Sequence, residues 1–188
     1  MRQSLLSRRD LLATAAATLQ LSAAGSDWVE LFNGRNLEGW RAGGHAGSWK
    51  VAEGAITAVG AQSHLFYNGP VRGADFRNFE LEVEARLDAR ANSGIYFHTA
   101  YQAKGWPEKG FEVQLNNTAT GEGGYLERKK TGSLYGIRNV YKQLAADNEW
   151  FKIQVLVRGK NIQTRLNGVL LVDYTEPAAP VMVPGLER

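Results

Sequence analysis

From Phe79 to Leu87 the chain reads Phe-Glu-Leu-Glu-Val-Glu-Ala-Arg-Leu, apolar and polar residues in strict alternation. Successive side chains of an extended strand point to opposite faces, so this stretch can bury one face and wet the other only as a β-strand. No apolar pattern of helical period runs for ten or more residues anywhere after the first 24. Short runs recur instead between turn signals. Ser48–Ala58 reads as a hairpin turned at Glu53-Gly54, and Trp150–Val157 as a strand turned at Gly159-Lys160. Asn161–Leu166 and Val169–Tyr174 flank Asn167-Gly168, the strongest short hairpin signal in the chain. Many short strands with Gly-rich turns predict an all-β fold, a jelly-roll β-sandwich in a single domain. Glu80, Glu82 and Glu84 share one face of the 79–87 strand. A solvated outer face accounts for them better than a catalytic row does.

Composition narrows the chemistry. The 188 residues suit one domain with a sizeable core. Cysteine is absent, which removes disulfides and thiolate metal sites. The first 24 residues carry three Arg and one Asp, a net +2, so the rest of the chain is +1 and gives no case for a nucleic-acid partner. There is no G-x-x-x-x-G-K-[ST] loop and no G-x-S-x-G elbow, and His45, His64 and His98 lack zinc-protease spacing. The E-x-D-x-x-E strand of two-carboxylate glycosidases on sandwich folds is also missing; Glu80-Leu-Glu82-Val-Glu84 lacks the central Asp.

Residues 1–24 read as a twin-arginine-type signal peptide. Arg8-Arg9 precedes the short apolar run Leu11–Leu21, and Ser22-Ala23-Ala24 supplies small residues for cleavage. The mature domain is expected to be 25–188, exported to the periplasm or beyond the cell, without a stable membrane anchor and without a contribution from the leader to the fold. A general secretory signal is the nearer rival.

The richest stretch is Asn92–Asn117, two short strands joined by a loop of aromatic and charged residues. Alternation puts Ile95 and Phe97 on one face of the first strand, and Tyr96 and His98 on the other. In the second, Phe111, Val113 and Leu115 oppose Glu112, Gln114 and Asn116. With the strands paired, His98, Glu112 and Gln114 are expected to converge on one polar face. A carboxylate set between Phe111 and Val113 on a central strand needs a partner or a task. Histidine as a residue type suits proton transfer near neutrality, which makes His98 a candidate acid/base. Tyr96, Trp106 and Tyr135 are candidates for contacting a sugar, and Tyr101, Tyr125 and Tyr141 could stack on one as well. The mixed Glu127-Arg-Lys-Lys130 run reads as a solvated loop tip.

A set of motifs falls in a recognisable order: Leu31–Trp40, Gly47–Gly54, Phe79-Glu-Leu, Asn92–Phe97, Gly110–Gln114, Gly132–Gly136, Glu149-Trp150 and Leu166-Asn-Gly168. In these the chain resembles the 3-keto-disaccharide hydrolase family, over nearly all of the mature chain. The resemblance implies a concanavalin-like sandwich with a sugar site on its concave face. The activity it implies is cleavage of glycosides already oxidised to a ketone at C3. Such cleavage can proceed by removal of the C2 proton and elimination, with hydration to follow. It asks for one base, a stabiliser for the enolate and no carboxylate pair. Glu112 is then the base, or the carboxylate holding a divalent cation that activates one; His98 is its acid/base partner; Gln114 orients the sugar or ion. The family runs on past the Leu-Asn-Gly hairpin to a further closing strand, so the chain is expected to be truncated at the C-terminus and to leave one apolar face uncovered. A non-catalytic carbohydrate-binding module is the alternative from the same residues.

Overall fold

The computed structural model describes residues 19–22, 28–121 and 124–179. Its strands are β1 (Leu19–Ser22), β2 (Trp28–Glu30), β3 (Trp40–Gly44), β4 (Trp49–Ala52), β5 (Ala55–Ala58), β6 (Ser63–Tyr67), β7 (Phe79–Arg86), β8 (Asn92–Phe97), β9 (Phe111–Asn116), β10 (Trp150–Arg158), β11 (Asn161–Leu166) and β12 (Val169–Thr175). Among the described residues the only helical elements are two 3₁₀ turns, Ala46–Ser48 and Val71–Ala74. No helix among them is long and apolar enough to cross a membrane.

One layer is a six-stranded sheet in the order β12-β11-β10-β7-β1-β2, antiparallel throughout. The alternation that singled out β7 is realised: Phe79, Leu81, Val83 and Ala85 are buried. On its other face Glu82 is held by Lys152 at 2.5 Å and by Gln154 at 3.2 Å, both from the neighbouring β10. The glutamate row is thus an outer face tied to its neighbour strand. At the β11–β12 turn Asn167 and Gly168 both take positive φ, as a two-residue hairpin requires.

The second layer contains the hairpins β3–β6, β4–β5 and β8–β9. Residues 131–135 extend it along the free edge of β9. Thr131 and Tyr135 donate backbone N–H groups to Asn116 and Glu112, Gly132 donates to Gln114, and Gln114 donates to Ser133. The core lies between the layers. Phe97, Val113, Leu115 and Leu134 pack against Leu81, Val83, Ile153, Val155, Ile162 and Val172. Val113, Leu134, Ile153 and Val155 are each wholly buried; burying one such side chain is worth about 1.5–3 kcal/mol. This is a concanavalin-like β-sandwich.

Strand β1 departs from expectation. It lies inside the 1–24 segment read as a removable leader, yet its backbone pairs with β7 on one side and β2 on the other. Residues 180–188, with the chain's end, lie outside the described residues.

Candidate active site

Strand β9 carries the site because its two faces differ so sharply. Phe111, Val113 and Leu115 turn to the core, while Glu112, Gln114 and Asn116 take the opposite face. In the β8–β9 register Tyr96 stands opposite Glu112, and Gly94 opposite Gln114. The Tyr96 hydroxyl donates to Glu112 Oε2 at 2.9 Å. The rest of the Glu112 side chain lies over Gly94. A Cβ there would overlap Oε1 and meet Cγ and Cδ at 2.8 and 2.9 Å, so only glycine leaves room for the carboxylate in this place. Glu112 Oε1 accepts no hydrogen bond from any described residue. Burial pushes the Glu112 carboxyl above the ordinary glutamate value; the Glu127 charge adds to this, while the Tyr96 hydrogen bond and Lys129 oppose it. Burial likewise raises the Tyr96 phenol, with help from the Glu112 charge, so it stays protonated and donating.

Beside this pair the loop after β9 folds back. Glu127 is only 3% exposed. Its Oε2 accepts from the Tyr125 hydroxyl at 2.9 Å and from that of Tyr135 at 3.1 Å. Its Oε1 accepts from the Lys129 backbone N–H at 2.7 Å and from Lys129 Nζ at 3.4 Å. Burial works against the Glu127 carboxylate, but these donors together hold its pKa below the usual value. Lys129 Nζ also donates to the Tyr125 hydroxyl at 3.1 Å and lies 4.2 Å from the Tyr135 ring centroid. Despite the cost of burial, those contacts and Glu127 keep the ammonium charged. Burial and then the Tyr125 hydrogen bond push the Tyr135 phenol up to about 12. The expectation of a solvated loop tip at 127–130 is therefore corrected. The spacing of Tyr125, Glu127 and Lys129 at period two, which in extended backbone shares one side, is the signal that could have marked them.

Strand β6 closes the other flank. The His64 ring packs edge-on to Tyr96 at 5.7 Å and to Trp106 at 5.0 Å between centroids. Burial holds the His64 pKa below its ordinary value, so the ring is neutral at pH 7. Trp106 remains 60% exposed.

The structure thus brings together Glu112, Tyr96 and Tyr135, and places Trp106 next to them through His64. It does not bring His98 in. β8 ends at Phe97, and His98 takes a positive φ that breaks the alternation and swings its ring to the apolar side. There it packs on Phe79, Phe97 and Phe111, with Nε2 3.0 Å from the Arg77 carbonyl. Gln114 does lie on the expected face but is 2% exposed, its Nε2 donating to Asn92 Oδ1 at 2.6 Å. It sits beneath the site instead of lining it. Among the described residues no group of three or more His, Cys, Asp and Glu side chains is placed to hold a metal ion.

A profile of the 3-keto-alpha-glucoside-1,2-lyase-like domain matches residues 27–183, most of the chain. The chain belongs to this family. Within the lyase-like family it is similar to the 3-keto-disaccharide hydrolase of Bacteroides thetaiotaomicron, at 25% identity over 88% of this chain and 64% of that protein. The chain therefore spans under two thirds of that relative's length. Among solved structures the lyase-like domain resembles a putative glycosyl hydrolase from Parabacteroides distasonis, at 27% identity and a TM-score of 0.66, over 80% of this chain and 72% of the other. A second putative glycosyl hydrolase from that organism superposes with a TM-score of 0.62 at 25% identity, covering 80% and 73%.

Proposed function

We propose that this chain cleaves the glycosidic bond of sugars carrying a ketone at C3, with Glu112 as the base. The observation that carries the reading is the Glu112 carboxylate itself. It is partly buried, held through one oxygen by Tyr96 and laid over Gly94, with its other oxygen uncommitted. A carboxylate whose proton affinity is raised by burial is a better base than a solvated one.

The chemistry follows from the ketone. Glu112 takes the proton from C2; the C2–H pair becomes the C2=C3 bond, and the carbonyl π pair moves onto O3. When C3=O re-forms, the C2=C3 pair shifts to C1=C2, and the aglycone oxygen leaves with the C1–O pair. It takes the proton now on Glu112, which returns to carboxylate. Water then adds at C1 and a proton at C2, giving the free 3-keto sugar. No second carboxylate is required, which agrees with the missing glycosidase motif. The names of the relatives, a 3-keto-disaccharide hydrolase and putative glycosyl hydrolases, support a sugar as the substrate.

The test compares a disaccharide with its 3-keto form. The protein should release monosaccharide from the keto form alone and, in heavy water, place deuterium at C2. Glu112→Gln should lower this rate by about 10²–10⁴-fold while the protein stays folded, as loss of a positioned base does. Equal cleavage of the native disaccharide, or full activity of Glu112→Gln, sinks the proposal. Sugar binding with no cleavage of either form would instead favour a binding module.

A further inference from the structure

We infer that Lys129, steadied by Tyr125, Tyr135 and Glu127, is the group that holds the enolate oxygen O3 while Glu112 works at C2. The inference rests on the reading of the site as one acting on a 3-keto sugar.

Two carboxylates on this face have been given opposite surroundings. All the partners of Glu127 are donors, two phenols on one oxygen and the backbone and ammonium of Lys129 on the other. A buried carboxylate so saturated has no capacity left for a substrate proton. Its effect is to fix Lys129 and cancel its charge, so that a cation can stand near Glu112 without an uncompensated field. Glu112, by contrast, has one donor on one oxygen and none from described residues on the other. Paired groups driven apart in this way mark separate roles in a reaction.

Lys129 is suited to an oxyanion. Its ammonium has three N–H groups, of which two go to the Tyr125 hydroxyl and Glu127 Oε1 while the third lies beside Tyr135. That third donor is the one a substrate oxygen would take, on a side chain that keeps 21% of its surface exposed. Its position is anchored to the strand that bears the base. Asn116 Nδ2 donates to the Lys129 carbonyl at 3.0 Å, and the Tyr135 N–H donates to the Glu112 carbonyl at 2.9 Å. When the C2 proton leaves, negative charge appears on O3, two bonds away. A preset cation there stabilises the transition state more than the neutral ketone, which is the condition for acceleration. In the collapse of the enolate the charge moves from O3 to the leaving oxygen, and Lys129 keeps its proton throughout.

The experiment uses the full chain with 3-keto-glucosides of two aglycones, 4-nitrophenol and methanol, and follows C2–H exchange of 3-keto-glucose in heavy water. Lys129→Met should lower kcat about 10²-fold, the loss typical of one oxyanion donor, with KM changed far less. The loss should be alike for both aglycones, and exchange at C2 should slow in step. Tyr135→Phe, which keeps the ring under the ammonium, should give a smaller loss of the same kind and covers the case in which Lys129→Met fails to fold. Glu82→Gln on the outer sheet serves as the unchanged control. Wild-type rates in a folded Lys129→Met, or in Tyr135→Phe, overturn the inference. So does a loss confined to the methyl glucoside, which would make the cluster an acid for the leaving group. A wild-type chain that neither cleaves nor exchanges fails one step earlier, at the reading of the site, and takes the inference with it.

Discussion

At the scale of single residues, the pair Tyr96–Glu112 fixes how the site should respond to pH. A base must be ionised, so the rate falls as pH drops through its pKa. With Glu112 raised by burial, the acid limb of kcat/KM should lie above that of an ordinary glutamate. The Tyr96 hydrogen bond stabilises the carboxylate and works the other way. Tyr96→Phe should therefore move the limb to higher pH, read from a pH–rate profile; a limb that stays put or moves down would show that the bond is not made in solution. The sign for stability is the reverse of that for activity. Because the folded-state pKa is raised, the stability linked to Glu112 is fully present below the unfolded value and is lost as pH rises through the folded one. The residue is held where it costs the fold something at neutral pH, which is common at working sites.

At the scale of elements, β9 and the loop after it act together. Asn116 is wholly buried, and its Nδ2 spans the loop, donating to the Ala119 carbonyl at 3.2 Å and to that of Lys129 at 3.0 Å. Thr131 Oγ1 donates to Asn117 Oδ1 at 2.7 Å and accepts from the Asn116 N–H at 2.9 Å. Asn116→Ala would leave the Lys129 carbonyl without its donor, a cost of about 1–3 kcal/mol, while the Ala119 carbonyl keeps Lys130 Nζ at 2.9 Å. We expect amide exchange in 118–131 to quicken while β10 stays protected, with cleavage of a 3-keto sugar slowed; unchanged exchange in the loop would refute the coupling. The same elements show what could be read beforehand. Alternation in 92–97 and 111–116 put Tyr96, Glu112 and Gln114 on one face, because period two depends only on extended backbone. It failed at His98, where one positive φ ends the strand, and it could not foresee that Gln114 would lie under a folded-back loop. The backbone at Lys129 is held by a hydrogen bond from the Asn116 side chain, thirteen residues away in sequence, and no local pattern reports such a bond.

At the scale of the whole molecule, the sandwich, the β7 face and the Asn167-Gly168 turn were legible, since burial and turn chemistry dictate them locally. The order of strands was not, and β1 is the clearest case. A twin-arginine pattern and a strand paired with β7 occupy the same stretch of chain. Removing residues 1–24 would leave β7 and β2 without the partner between them, and unpaired strand edges invite self-association. The chain beginning at Gly25 should thus melt lower and associate more than the chain of 188 residues, by thermal melting and light scattering. Identical behaviour of the two would show that β1 adds nothing.

The exposed Trp106, edge-on to His64, gives the molecule an optical property of its own. Indole emission depends on what covers the ring, and this ring stands at the margin of the site. Trp40 and Trp49 are tied by their Nε1 groups to the Leu31 carbonyl and the Ser63 hydroxyl, and Trp28 and Trp150 belong to the opposite sheet. Their light forms a steady background. If a sugar settles beside Tyr96 as proposed, the protein's own fluorescence should change on titration, without a label.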